Sequence, residues 1–276
     1  MQKPAGQQKN FWSRNAWKTL TLPFILFLII PFIALFSNIT PTTFWNNLES
    51  QQVLQAMRLS LMTSISTVVL TIVFGTPVAY LISRRRTPFV RLIDTLIDLP
   101  TVLPPAVAGV ALLMAFGRRG LIGAWLFSVG VTIPFTPLAV IMAQMFVAAP
   151  LYIKAVTIGF IEVDCELRKA AAMDGANRWH TFHYVMVPIS WKSILSGSVM
   201  TWARALGEFG ATIIFAGNFP GRTQTMPLAI YIGFETDMNV AITLSVILVC
   251  FSFLIIVLVK GLLHQKMTTG LDDSFD

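Results

Sequence analysis

The sequence predicts an all-α integral membrane protein. Three observations carry that prediction: a composition poor in charge, six long apolar runs, and basic residues gathered on alternate connections. Aliphatic, aromatic and cysteine residues make up 55% of the 276 residues, and charged residues 12%. A soluble domain carries roughly 25% charged residues. So little charge leaves too little polar surface to keep a globule dissolved, and a bilayer removes that requirement. Each helical crossing takes about 20 apolar residues, so a chain of this length holds about five to seven spans and little else.

The runs are residues 20–36, 59–82, 96–116, 133–153, 191–216 and 240–259. Helix is the expected form, because backbone groups in hydrocarbon must pair within their own segment. The alternating pattern of a membrane β-barrel is absent. The first run follows a basic lead of Lys3, Lys9, Arg14 and Lys18. It exceeds a usual signal-peptide core and ends without a small-x-small site, so a retained helix is expected. The third run starts with Leu99-Pro-Thr-Val-Leu-Pro-Pro105. Each proline removes a donor and clashes with the preceding turn, so this helix is expected to be broken or kinked and covered by the bundle. Ala106, Ala108, Gly109 and Ala111 would allow close helix approach. For Pro104 and Pro105, plain packing and a role in a transport pathway both remain open. The expected organisation is a basic segment 1–19, a transmembrane unit 20–263 and a tail 264–276.

Lysine and arginine set orientation. The N-terminus, 83–95, 154–190 and the tail hold most of them, including Arg84, Arg85, Arg86, Lys154 and Lys169. The intervening loops hold Arg58, Arg118, Arg119 and Arg222. Both termini and residues 154–190 are therefore expected in the cytosol, although Arg118-Arg119 runs against the bias. The formal charge of +7 reads as topology-setting charge in contact with anionic membrane lipid, not as a nucleic-acid surface. Cys165 and Cys250 form no framework. His180 and His183, with no nearby cysteine, make a poor metal site, and none is expected.

Between the fourth and fifth runs lies a charged segment, about 162–188. Glu162 to Met173 reads as a helix of good helix formers, with Gly175 placed to end it in a left-handed cap. A second short helix fits Asn177 to Tyr184, and Pro188 is expected to reset the chain before the fifth span. The result is a helix-turn-helix exposing small alanines beside Trp179, Phe182 and Tyr184. Such a surface suits a knob seated in a partner's groove; it equally suits an amphipathic interfacial helix.

The spacing of this segment resembles the cytosolic coupling motif of ABC-importer permeases: Glu-Ala-Ala, three residues, Gly, nine residues, Ile-x-Leu-Pro. Ala170, Ala171, Gly175, Val185, Val187 and Pro188 stand at the corresponding places, with Ala176 beside the glycine. Lys169 stands where the family has glutamate, which weakens any salt bridge argued from that position; Glu166 lies one turn away. The resemblance spans about residues 50–265. It implies a six-transmembrane-helix type I ABC importer permease with cytosolic coupling helices. It also implies cytosolic ABC ATPase subunits, an extracytoplasmic solute-binding protein and pairing with a second copy as a homodimer. Ala170, Ala171, Gly175, Ala176 and Pro188 would then form the ATPase-coupling surface.

In the fifth run, Arg204 and Glu208 are four apart and can pair on one helix face. Charges inside a span are costly and face the bundle interior or a cavity, so they either lock packing or line a passage. The following loop, Phe215 to Tyr231, offers Arg222, Thr223 and an amide among Gly and Pro turns, which suits an incoming oxyanion and a binding-protein contact. Ala-Leu-Gly-Glu-Phe-Gly-Ala-Thr, Phe-Ala-Gly-Asn-Phe-Pro-Gly, Thr-Met-Pro-Leu-Ala-Ile-Tyr and Gly117-Arg-Arg-Gly120 are similar to molybdate-importer permeases. Sulfate/thiosulfate and tungstate permeases are the chemically close alternatives. No Gly-x4-Gly-Lys-Ser/Thr phosphate cradle occurs, so ATP hydrolysis is expected in a separate subunit, with no cofactor and no catalysis here. A stand-alone secondary carrier would show inverted repeats, and a membrane enzyme would need more than Glu208.

Overall fold

The computed structural model describes residues 9–84 and 87–272, and every regular element among them is helical. Lys3, Arg85 and Arg86 of the charge asymmetry, and residues 273–276 of the tail, lie outside the described residues. The chain order is α1 (Lys9–Ser37), α2 (Pro41–Leu48), α3 (Gln51–Arg84), α4 (Pro88–Val102), α5 (Pro105–Phe116), α6 (Gly123–Ser128) and α7 (Pro137–Glu162). Then come α8 (Cys165–Met173), α9 (Arg178–His180), a π-helical turn (Thr181–Met186), α10 (Val187–Ile189) and α11 (Trp191–Leu206). The chain closes with α12 (Gly210–Phe215), α13 (Met226–Thr236) and α14 (Met238–Asp272), which continues past the 263/264 boundary expected for the tail.

A Thr-Pro pair starts α2, α4 and α7. Thr40, Thr87 and Thr136 are N-caps whose hydroxyls accept the N–H of Thr43, Val90 and Ala139, at 3.3, 3.4 and 3.3 Å. The proline that follows supplies a preset φ where its missing donor would be unpaired anyway.

Among the described residues, α3, α7 and α14 over Met238–Val257 are each long and apolar enough to cross a membrane. Thr21–Ser37 with α2, bent by 77°, and α4 with α5, bent by 119°, bring the number of candidate spans to five. The fifth apolar run of the sequence is divided between α11 and α12 by non-helical backbone at 207–209. The expected interruption in the third run is present at Leu103–Pro104, where consecutive prolines deny the ladder its donors, but this chain does not cover it as expected, since Thr101, Val102 and Pro104 are exposed.

Helix α7 is the mast of the bundle. Its most apolar stretch is 56% buried, against 22% for α3 and 33% for α14. Along α3, Ser60, Thr63, Ser64, Thr67, Thr71 and Gly75 are buried, a stripe of small residues that brings the helices close. Thr67 donates to Gln144 at 3.1 Å, and the Thr76 hydroxyl meets that of Tyr152 at 2.6 Å. On another side, α11 closes on α7 at Gly159, whose carbonyl accepts from Ser190 at 2.9 Å; Thr201 donates to the Ala148 carbonyl at 3.3 Å. A third face takes α5 and α12, with Ala108, Leu112, Val140, Ala143, Ala211 and Phe215 in one apolar cluster.

The fourth apolar run is read to end at Ile153, and the helix that contains it continues through Lys154 to Glu162. Lys154 pairs with Asp94 at 2.5 Å and Asp98 at 2.9 Å, holding α4 against α7. Two carboxylates four apart in an otherwise apolar stretch were the available sequence signal.

Close packing at α5 and α12 yields a prediction. A Cβ on Gly109 would lie 2.8 Å from the Ala211 carbonyl oxygen and 2.8 Å from the Ile214 Cβ. Gly109→Val is expected to cost about 1–3 kcal/mol by overpacking, read as a lowered thermal unfolding midpoint in detergent. An unchanged midpoint would refute the tight α5–α12 contact.

Candidate functional site

Three groups of residues singled out in the sequence occupy three separate places. The first is the elbow after α7. Val163 is buried where α7 ends, and the Asp164 carboxylate accepts the Glu166 N–H at 2.9 Å to start α8. At the other end of α8, Gly175 has φ +84°. The Gly175 N–H bonds to the Ala172 carbonyl at 3.2 Å, and the Ala176 N–H to the Ala171 carbonyl at 2.9 Å. These two bonds are the 5→2 and 6→1 pair of a Schellman motif. A Cβ at Gly175 would meet nothing within 4 Å, so the backbone angle alone demands glycine.

The second limb begins at Asn177, whose side chain accepts the His180 N–H at 2.8 Å. Pro188 does not reset the chain as expected. The π turn at Thr181–Met186 shifts the hydrogen-bond register, and Pro188 falls in the first turn of α10, where a missing donor is tolerated. Only Ser190 then separates this limb from α11.

No residue of α8 is buried. Ala170 and Lys169 are exposed, and Ala171 and Ala176 half-buried. Met173 is 88% exposed, and Leu167, Trp179 and Tyr184 also stand open. Beneath them an aromatic cluster fastens the elbow to the bundle. Phe182 meets Tyr80 of α3 at 5.0 Å and Phe160 of α7 at 5.8 Å, both edge-on. Arg84 donates to the Tyr80 hydroxyl and lies over its ring. A groove of about 900 Å³ runs beside the elbow between Tyr80, Arg84, Arg178 and Trp179.

The second group is the intramembrane charge pair. Arg204 Nη1 is 2.7 Å from Glu208 Oε2, so the pair forms, but not on one continuous helix. α11 ends at Leu206, and Glu208 lies in the break before α12. Its Oε1 accepts the Ala211 N–H at 2.9 Å, so one carboxylate both neutralises the arginine and caps the next helix. Glu208 is 1% exposed and Arg204 35%. Gly210, two residues on, packs against Pro105, where a Cβ would sit 2.8 Å from the Pro105 Cβ. The structure therefore brings Pro105 near the charge pair, while Pro104 is exposed.

The third group is the loop after α12. Arg222 is exposed, as expected of a contact residue. Thr223 is not: it is fully buried, and its hydroxyl accepts the Phe219 N–H at 3.1 Å. The Phe219 carbonyl accepts from Arg222, Thr223 and Gln224 at 3.0, 2.9 and 3.0 Å, which makes a compact turn. Arg222 shares a cavity with Arg118, a partner the sequence argument overlooked. This cavity lies at the start of α7 and the elbow at its end. They are separated by the 26 residues of that helix, about 39 Å at 1.5 Å per residue. Among the described residues no cluster of His, Cys, Asp and Glu could hold a metal ion.

A helical bundle with an exposed elbow at one end and an arginine-lined mouth at the other suits a transport subunit. The family model described as "Binding-protein-dependent transport system inner membrane component" matches residues 72–268. The chain belongs to that family. Among relatives, this permease is 37% identical over 242 residues to the "Probable transport system permease protein NifC" of Clostridium pasteurianum, covering 87% of this chain and 85% of that one. It is 38% identical over 232 residues to the "Molybdenum transport system permease protein ModB" of Mycobacterium tuberculosis, covering 84% and 88%. In fold it resembles a chain from a bacterial ABC transporter that imports the acidic polysaccharide alginate, with a TM-score of 0.70 at 16% identity, covering 93% of this chain and 99% of that one. The permease thus has the all-α type I ABC importer fold, and its family serves in transport, not catalysis.

The charge pair can be tested by itself. Breaking a fully buried pair costs about 3–5 kcal/mol. Solvent at the third-exposed Arg204 screens part of this, so Glu208→Ala is expected to cost roughly 2 kcal/mol, including the lost cap of α12. Glu208→Gln retains an acceptor for Ala211 and should cost less. Thermal unfolding in detergent separates the two; equal losses would remove the capping role.

Proposed function

We propose that this chain is the membrane permease subunit of an ATP-driven importer of a tetrahedral oxyanion, and that the oxyanion is molybdate. The observation that carries this reading is the identity with molybdenum permeases across 84% of the chain. The elbow faces the cytosol and seats in an ABC ATPase subunit, with Ala170, Ala171, Gly175, Ala176 and Pro188 as its coupling residues. Both chain termini lie on that side. The opposite end receives an extracytoplasmic oxyanion-binding protein, with Arg222 as a contact residue.

Two copies enclose the passage. Arg204 supports this arrangement, because it stands in the fifth apolar run, paired with the buried Glu208, yet remains partly open. A guanidinium facing hydrocarbon costs about 2.5–3.5 kcal/mol or more. Its open side therefore faces a second copy or water, and Glu208 holds it there. Nucleotide-driven closure of the ATPases biases the bundle between two states through the elbow. The chain itself catalyses nothing and needs no cofactor.

Uptake into proteoliposomes containing the permease, its ATPase and the binding protein tests the substrate. Molybdate accumulation that needs ATP is expected. Accumulation of sulfate without molybdate would move the assignment to sulfate, and accumulation without ATP would overturn the importer reading. Gly175→Asp places a charged side chain on the docking surface. It is expected to cut uptake about five-fold or more while ATP hydrolysis persists, a coupling loss of at least about 1 kcal/mol. Normal uptake by that variant would remove the coupling role of the elbow.

A further inference from the structure

We propose that Arg118 and Arg222 form an anion cradle at the mouth of the bundle, a transit site for the oxyanion in the permease itself. This rests on the oxyanion reading above and gives the cargo a stopping place inside this chain. The cradle is a cavity of about 350 Å³ whose lining includes Phe116, Arg118, Phe127, Thr132 and Arg222. Both arginines stand on built turns. Arg118 sits in a tight coil where the Gly120 N–H bonds to the Gly117 carbonyl at 2.7 Å and the Leu121 N–H to the Met114 carbonyl at 3.1 Å. A Cβ on Gly117 would lie 2.3 Å from the Leu113 oxygen, and one on Gly123 would lie 1.9 Å from the Gly117 oxygen. No side chain larger than hydrogen fits at either glycine, so the coil that carries Arg118 is closely packed. The Arg118 guanidinium also lies 4.1 Å from the centre of the Phe127 ring, a cation–π contact. Arg222 is carried by the turn closed on the Phe219 carbonyl.

No carboxylate lines this cavity, and among the described residues neither arginine has an ion-pair partner. The two guanidiniums and the Thr132 hydroxyl stand exposed beside walls of Phe, Leu and Val, and with no carboxylate among them they give the mouth a local positive potential. An oxyanion meets matching geometry, because guanidinium forks bind such groups through two oxygens. The volume is large against the roughly 30 Å³ of one water, so the ion enters partly hydrated and is held weakly. A transit site must bind enough to capture and little enough to release. The cradle also accounts for Arg118 standing on the side that the basic-residue bias disfavours.

The test uses the full permease–ATPase complex without binding protein, with Cys165 and Cys250 changed to serine and Thr132→Cys introduced. Modification of that thiol by anionic and cationic methanethiosulfonate reagents is timed with and without millimolar molybdate, tungstate or sulfate. The anionic reagent should react about ten-fold faster, and an oxyanion should slow it. R118Q/R222Q should lose both the preference and the protection, while R118K/R222K should keep the preference and so exclude misfolding. Equal reagent rates, or protection that survives in R118Q/R222Q, would overturn the cradle. It would also be overturned if R118Q/R222Q lost binding-protein-stimulated ATP hydrolysis with protection intact, which would make the pair a docking contact. A complex that transports no oxyanion but keeps the reagent preference would sink the substrate assignment and leave the anion site standing.

Discussion

A backbone N–H or carbonyl in hydrocarbon has no water to turn to, and the architecture depends on how each helix interruption meets that constraint. Glu208 takes the Ala211 N–H at the α11–α12 break. The Ser60 hydroxyl of α3 accepts the Met226 N–H at 2.7 Å, where α13 begins. The Phe219 carbonyl and the Thr223 hydroxyl satisfy the loop between α12 and α13. Each of these breaks has its freed backbone groups paired within the chain, which is why α12 and α13 can sit against the bundle without being full spans. Residues that look functional in sequence, such as Glu208 and Thr223, have backbone duties as well.

The same accounting describes how the elbow is attached. Its outer surface has no buried residue on α8, so α8 alone gains little from the bundle. Its attachments are concentrated at Val163, Phe182 and Met186, which pack with Tyr80 and Phe160. The elbow thus meets α3 and α7 at one contact zone and continues into α11 through the helical limb that contains Pro188. Lys154, paired with Asp94 and Asp98, adds α4 to that end of the bundle.

The fold was largely legible from periodic apolarity and charge. The proline cluster at 99–105 announced its bend, and Gly175 announced its left-handed cap, because both rules act on local backbone. The ion pairs of Lys154 were missed, since nothing in residue type says that Asp94 and Asp98 of α4 fold against it. Pro188 was misread as a reset because the π turn before it leaves no signature in residue type. Arg204 and Glu208 were paired correctly, but the break between them was not foreseen; beside it Gly210 packs on Pro105, a contact across about a hundred residues of chain that the sequence does not announce. Thr223 looked accessible because polar loop residues usually are, and only tertiary structure buries it.

The open space around Gly175 has a consequence for handedness. Its φ of +84° is the region that an L side chain resists and a mirror-image residue prefers. With no neighbour within 4 Å of a Cβ, the position selects by chirality and not by bulk. D-alanine installed there by semisynthesis would hold this φ without the backbone strain of an L residue and remove freedom from the unfolded elbow. The corner would then be stiffer than evolution, limited to L residues and glycine, could make it.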